Sequence, residues 1–401
     1  MKLLKIAAMG LVALGFAEMA SAQTKIYITG SSAFRGSAHK AIMHLLGSAD
    51  GATLPAGSGY AYLGTTLSSA NAAIFQGTAN GQAVIIKVSW SGSAAGVQTV
   101  ASSTGAFTVG FFQDSTTTST TGTSITPVAA NDPRNSANPR EAAVPDIAFC
   151  DVYQASTPFR GTLSLQHYDS LVDNTVGVIP FQWVKSKGAA AGIMNMTPLL
   201  AQATWIGTGI CPLALYTGLS ADQGTLVYAT GRDGDSGTRI SALAESGIGA
   251  TTTVQQYDTA LESGGVPQLY AQQTVNGITF PIGEGGESSG GTLAGNTKMG
   301  KTGLIKSYVS YMGVGDAATL VTNGGATLTW NGVAYSVTAM QQGQYTFWSY
   351  EHLFYKSSLA GTKLAFGESL RDQLLNTDGS PLLSTMNVVR ATDGGVVTAD
   401  Y

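Results

Sequence analysis

The residues with the greatest chemical reach lie in a few short loops rich in glycine and serine. Gly231-Arg232-Asp233-Gly234-Asp235-Ser236-Gly237-Thr238 places a permanently charged, forked donor beside small residues at the start of a helical pattern. Backbone N–H groups at a helix start point outward unpaired, and the helix dipole adds partial positive charge there. Glycine admits close approach and serine adds a hydroxyl donor, so such a loop suits an oxyanion. Ser31-Ser32 before a pattern opening at Phe34 offers the same chemistry. Asp151 stands where a short apolar run ends. Each feature also has a plainer reading, since serine and glycine cap helices and an aspartate after a strand serves a turn or cap.

Other chemistries fit less well. The arginine loop lacks the lysine of a nucleotide P-loop. Asp233-Gly234-Asp235 imitates a calcium loop, but Gly237, Thr238 and Ala244 occupy positions where a ligand, the glycine and the terminal glutamate belong. Two cysteines and four scattered histidines show no zinc spacing, so no metal and no cofactor are expected. A hydrolase built on one of the many serines would need a G-x-S-x-G elbow or a placed base. His39 and His44 near the first helix read more simply as packed or solvated side chains.

The elements that position these loops alternate between strand and helix. Lys25–Thr29 is β-prone, and Phe34, Ala38, Ile42, Leu45 and Leu46 recur at helical spacing. Ala83–Trp90, Pro145–Cys150 and Gly224–Ala229 are further strands, the last leading into a helix that stops near Gly247. Alternation of this kind predicts an α/β architecture with largely parallel sheets. The Ser/Thr-rich stretch 115–121, and the Pro-broken stretch after it, predict a surface excursion over about 99–144, with Phe107–Phe112 as a strand. A glycine cluster at 283–291 is a second loop.

Composition narrows the class. Only 11% of the 401 residues are charged, against roughly 25% in an ordinary domain. With 44% hydrophobic residues the chain can still bury a core, which argues against wholesale disorder. A net charge of −4 and no basic run exclude a nucleic-acid partner. Residues 1–22 read as a signal peptide: Lys2 and Lys5, an apolar Ile6–Phe16, and Ala20-Ser21-Ala22 for cleavage after Ala22. A periplasmic or secreted protein follows, in which Cys150 and Cys211 either pair or sit as two buried thiols.

In order along the chain, these loops resemble the phosphate-binding component of ABC importers. The matching segments are Ile28–Phe34, Gly92–Val97, Asp146–Asp151 and Gly231–Thr238, with weaker echoes at Val178–Phe181, Ile305–Tyr311 and Gly343–Trp348. The resemblance implies a two-lobe periplasmic-binding-protein fold of type II, α/β in class, with the ligand cleft between lobes. Lobe I would comprise 23–180 and 348–401, and lobe II 181–347, hinged near Gly177–Lys185 and Gln341–Tyr350. It implies that Ser32, Ala33, Phe34 and Ser93 supply backbone N–H groups, and that Ser93 adds its hydroxyl. Arg232 would meet the anion's charge, and Ser236, Gly237 and Thr238 would hold it at a helix start. Asp151 would accept the proton of hydrogen phosphate and so reject sulfate, which has none to give. The partners implied are inorganic phosphate and an inner-membrane ABC permease, for a monomeric protein that is not an enzyme.

The sequence departs from that family in three places. Ala33 stands where threonine is common, Gly234-Asp235 lengthens the arginine loop, and the tract Thr99–Val144 is inserted before Asp151. Binding of a different oxyanion, or a cell-surface or structural role that keeps the fold, are the competing readings.

Overall fold

The computed structural model describes residues 23–126, 132–263, 265–275 and 278–400. The signal-peptide reading of 1–22 lies outside the described residues.

The first half opens with β1 (Thr24–Gly30), whose Ile26 and Ile28 are fully buried, and α1 (Arg35–Leu45). At their junction Gly30 takes φ +114°, and a Cβ there would stand 1.9 Å from the Phe149 carbonyl oxygen. Only glycine permits that turn. β2 (Gly59–Leu63) follows, then β3 (Ala72–Ala79) and β4 (Gln82–Ser89), joined by Asn80-Gly81 with φ of 52° and 73°. Two successive positive φ values make the tight turn that antiparallel hairpins favour. α2 (Ser93–Ala101) is buried throughout. β5 (Val109–Phe111), β6 (Thr123–Ile125) and β7 (Glu141–Ala143) lie in the excursion, and β8 (Ile147–Cys150) returns the chain to the core. A small hairpin, β9 (Gly161–Leu163) with β10 (Gln166–Tyr168), precedes the long β11 (Val172–Lys185).

The second half comprises β12 (Asn195–Met196), α3 (Pro198–Trp205), β13 (Ile210–Pro212), α4 (Ala214–Thr217), β14 (Leu226–Ala229) and α5 (Gly237–Glu245). Two hairpins, β15 (Tyr257–Ser263) with β16 (Val266–Leu269) and β17 (Gln273–Val275) with β18 (Ile278–Phe280), lead to α6 (Gly290–Ala294). β19 (Ser307–Gly313) and α7 (Val314–Thr322) precede β20 (Ala326–Thr327), β21 (Thr329–Trp330) and α8 (Val337–Gln341). β22 (Trp348–Tyr355) then returns to the first half, followed by α9 (Gly361–Gln373), β23 (Val388–Val389) and β24 (Thr398–Ala399).

One sheet runs through both halves of this α/β chain, in the order β13-β14-β19-β11-β22-β8-β1-β4-β3-β2-β6, with β20 also on β11. β11 changes partner along its length. Residues 172–180 pair with β22, with a register shift between Thr175 and Gly177, and residues 181–185 pair with β19. Pro180, which has no N–H to give, stands at the changeover. Beyond it, Trp183 centres an aromatic group, its ring 5.2 Å from Phe347, 5.4 Å from Trp205 and 5.6 Å from Trp330. The C-terminal segment ties distant parts of the chain together: Arg390 donates to Glu245 at 3.0 Å, while the Tyr153 N–H donates to Asp393 at 2.9 Å.

Two expectations are corrected. The sheet is mixed: β1 runs parallel to β4 and β8, and β14 to β19, whereas β11, β22 and β3 make antiparallel pairs. Short links such as Asn80-Gly81 reverse the chain without a crossover helix, so adjacent strands oppose. The excursion is also less superficial than its polarity predicts. Residues 99–101 belong to α2, β6 joins the main sheet beside β2, and Phe111 and Phe112 are buried. Phe107–Phe112 does contain a strand, β5, which pairs with β7. Cys150 and Cys211 are both buried free thiols. Among the described residues no helix is long and apolar enough to cross a membrane.

The excursion is fastened by a buried cation. Lys87 on β4, its side chain fully buried, meets Asp114 at 2.6 Å and also pairs with Glu141, while Lys25 reaches Asp114 at 2.7 Å. Burial pushes the Asp114 and Glu141 carboxyls up, but the lysines outweigh it and hold both below the usual carboxylate range. Their stabilisation is therefore complete above pH ~4 and fades as pH falls through the depressed folded values. Lys87→Met should cost about 3 kcal/mol in urea unfolding at neutral pH, because it strands two carboxylates beside one lysine. A loss under about 1 kcal/mol would show that the cluster does not anchor the excursion.

Candidate functional site

The site is built where three strand-to-helix turns from the two halves of the chain meet. α1 begins after Phe34 and α2 after Gly92, and neither has a side-chain cap on its first turn. α5 begins after Ser236, whose hydroxyl accepts from the Arg239 N–H at 3.2 Å. The Ala94 N–H donates to the Asp235 carbonyl at 3.0 Å, which ties the α2 turn to the arginine loop. Ala33 faces the end of β19: a Cβ on Gly313 would lie 3.7 Å from its own.

Asp151, following β8, is 1% exposed and lies at the centre of this junction. One carboxylate oxygen accepts from the Ser93 hydroxyl, and the other accepts from the Thr238 hydroxyl at 3.2 Å. Gly237 is obligatory beneath it, because a Cβ there would stand 1.7 Å from Asp151 Oδ1. Burial raises the Asp151 carboxyl above its ordinary value, against the pull of Ser93, Arg232 and Thr238. Ser93, Asp151, Ser236, Gly237 and Thr238 thus converge on one point. Ser32 and Phe34 are buried at the α1 turn, and the Phe34 ring packs 5.9 Å from Phe149.

Arg232 is 2% exposed, and its guanidinium donates at 2.9 Å to the backbone carbonyls of both Glu287 and Ser288. The glycine cluster 283–291 therefore carries the cradle that aims this arginine. Asp233 is almost fully buried, and burial pushes its carboxyl up to about 6 although Arg232 and Arg239 pull it down. The Gln256 amide joins the same turn, donating to the Arg232 carbonyl at 2.9 Å and to that of Gly285 at 2.8 Å.

Three charged residues here escaped the sequence reading. Arg35 opens α1; burial holds its guanidinium below its usual value, Asp316 opposes this and Arg232 adds to it, so these groups share one neighbourhood. Asp316, in the first turn of α7, is pushed up by burial against the fields of Arg35 and Arg232. Glu351 on β22 is wholly buried. The one sequence signal for it is a Glu-His pair inside the otherwise uncharged run Trp348–Tyr355. Arg35 had a signal too, as a cation at a helix start where the dipole disfavours one. Asp316 had none. Among the described residues no group of His, Cys, Asp and Glu is placed to hold a metal ion.

No protein-family model matches the chain, and no curated protein matches it by sequence. Solved structures of similar shape include a Clostridium perfringens protein with bound phosphate, assigned as a phosphate ABC transporter substrate-binding protein. It is 13% identical, with a TM-score of 0.44, over 90% of this chain and 97% of that one. A phosphate-binding protein from Stenotrophomonas maltophilia is 12% identical, TM-score 0.39, over 94% and 87% of the two chains. PstS from Borrelia burgdorferi is 11% identical, TM-score 0.36, over 90% and 96%. With identities and TM-scores this low, the chemistry of the site rests on its own geometry.

A carboxyl whose folded pKa is raised stabilises the fold most at low pH, and that contribution is lost as pH rises through the folded value. Asp151→Asn removes this loss, keeping an oxygen for one of the two hydroxyls and offering an N–H to the other, which can rotate to accept it. It should therefore raise the melting temperature of the ligand-free protein at neutral pH, by an amount that shrinks toward pH 4. Scanning calorimetry showing a lower melting temperature for the variant at neutral pH would contradict the stated balance of burial and donors.

Proposed function

We propose that this protein binds an inorganic oxyanion, phosphate foremost, in the junction between its lobes. The observation that supports it most is the setting of Asp151. A buried carboxylate is held by hydroxyls from the starts of two helices that belong to different lobes, with Arg232 beside it. The same helix starts carry backbone N–H groups that the Asp151 contacts do not use, and these with Arg232 suit a free oxyanion. The backbone N–H groups of Ser32, Ala33, Phe34 and Ser93, with Ser236, Gly237, Thr238 and Arg232, form the binding set, and Asp151 is the selective wall. A ligand that carries a proton can donate to Asp151, whereas sulfate sets lone pairs against a buried carboxylate.

In this reading lobe I is 23–180 with 348–401 and lobe II is 181–347. Closure flexes the sheet where β11 changes partner and where the chain enters β22. The Asp235–Ala94 contact then forms only when the lobes meet, and closing excludes water from the anion. Export through the N-terminal segment and delivery to an ABC permease complete the role, with no catalytic step.

Titration calorimetry against phosphate and sulfate tests the proposal. Phosphate should bind in the micromolar range or tighter, and no heat from phosphate would overturn the reading. Arg232→Ala should weaken phosphate about a hundredfold, the scale of a hydrogen bond to a charged group. Asp151→Asn should narrow the phosphate-to-sulfate ratio by at least about tenfold. An unchanged ratio would remove Asp151 from the selective role.

A further inference from the structure

Several buried polar groups near the first helix turn lack a hydrogen-bond partner, and two of them lie side by side. Glu351 is wholly buried on β22 with neither carboxyl oxygen bonded, and the Ser31 hydroxyl, also wholly buried, is likewise unbonded. Such groups are rare in folded proteins, because each forgoes its solvation without return. Ser31 immediately precedes Ser32 of the anion cradle, and its backbone N–H is fixed to the Phe149 carbonyl at 2.8 Å. Its hydroxyl thus neighbours Glu351, while its chain neighbour Ser32 belongs to the cradle.

We propose that Glu351 is a positioning residue of the oxyanion site: as a neutral acid it donates its O–H to the Ser31 oxygen, which turns the Ser31 hydroxyl proton toward the bound oxyanion. The inference rests on the oxyanion reading above. Its logic is the polarity of a hydroxyl, which has one proton to give. An ionised Glu351 would take that proton and leave Ser31 presenting lone pairs to an anion. A neutral Glu351 supplies a proton from behind and frees the hydroxyl to donate forward.

The surroundings favour the neutral acid. The titratable groups around it are Asp151 and Cys150 on the β8 side, His352 and Asp173 on its own strand pair, and Asp393 from the C-terminal segment. His352 gives its Nδ1 to Asp173 at 2.7 Å, not to Glu351. Burial, reinforced by the charge of Asp151, pushes the Glu351 carboxyl well above the usual carboxylate range, and the nearby Ser31 hydroxyl opposes this only in part. The site therefore holds two carboxyl groups of opposite habit. Asp151 accepts a proton from the ligand, and Glu351 sends one toward it. A ligand that satisfies both must present one protonated and one bare oxygen, as hydrogen phosphate and hydrogen arsenate do.

Infrared difference spectroscopy between the wild-type protein and Glu351→Gln at neutral pH, with and without inorganic phosphate, tests this, alongside calorimetry on the same samples. The wild type should show a protonated-carboxyl C=O band that is absent from Glu351→Gln and that shifts when phosphate binds. In Ser31→Ala the band should persist without that shift, and phosphate affinity should fall about tenfold. Glu351→Gln, whose amide can still donate to Ser31, should bind phosphate within about threefold of wild type. A wild type that binds phosphate but lacks the band, or whose band ignores phosphate, overturns the role of Glu351 and leaves the oxyanion reading standing. Ser31→Ala binding phosphate as tightly as wild type does the same. A wild type giving no heat with phosphate overturns both.

Discussion

A carboxylate taken out of water loses its hydration, and only donors placed around it can offset that loss. Asp151 is that group here, and much of the fold is arranged to satisfy it. Ser93 comes from α2 and Thr238 from α5, so donors more than a hundred residues apart in the chain meet on one carboxylate. Gly237 leaves the space for the approach, and the sheet strand β8 fixes where the carboxylate stands. A buried carboxyl of this kind costs stability at neutral pH, the usual mark of a group kept for something other than the fold.

The scarcity of charge acquires a physical meaning in this setting. Only 11% of the residues are charged, yet several of them are buried around Asp151. Some of the buried charges have clear partners. Arg232 is braced by two carbonyls, Arg390 by Glu245, and Lys87 by two carboxylates. In a low-dielectric junction a few such charges act strongly, which is why a nearly neutral chain can still be well suited to a small anion.

The strand-turn-helix units at Thr24–Leu45, Gln82–Ala101, Ile147–Asp151 and Leu226–Glu245 were legible because each is local: an apolar run, a turn residue and a helical period stand in sequence. Their convergence followed from the order of the loops and not from any one of them. The mixed sheet was less legible, since strand direction depends on which distant run pairs with which. Asn80-Gly81 was a readable hairpin signal, yet β2 and β6 carry no comparable mark. Arg35, Asp316 and Glu351 were missed for a different reason. Each lies in an element whose own pattern is ordinary, and its charge becomes informative only once burial and neighbours are known. Glu351 was the nearest to readable, as an acid among aromatic residues in a strand.

β22 lies between β8 and β11 in the sheet, although it is nearly the last strand to appear in the chain. On the ribosome, then, β8 and β11 emerge long before the strand that lies between them, and their edges wait unpaired until residues 348–355 arrive. Such edges are where chains join wrongly to one another. The late return of β22 makes the older end of the nascent chain the one most in need of protection, and ties the surroundings of Asp151 to the last stretch of translation.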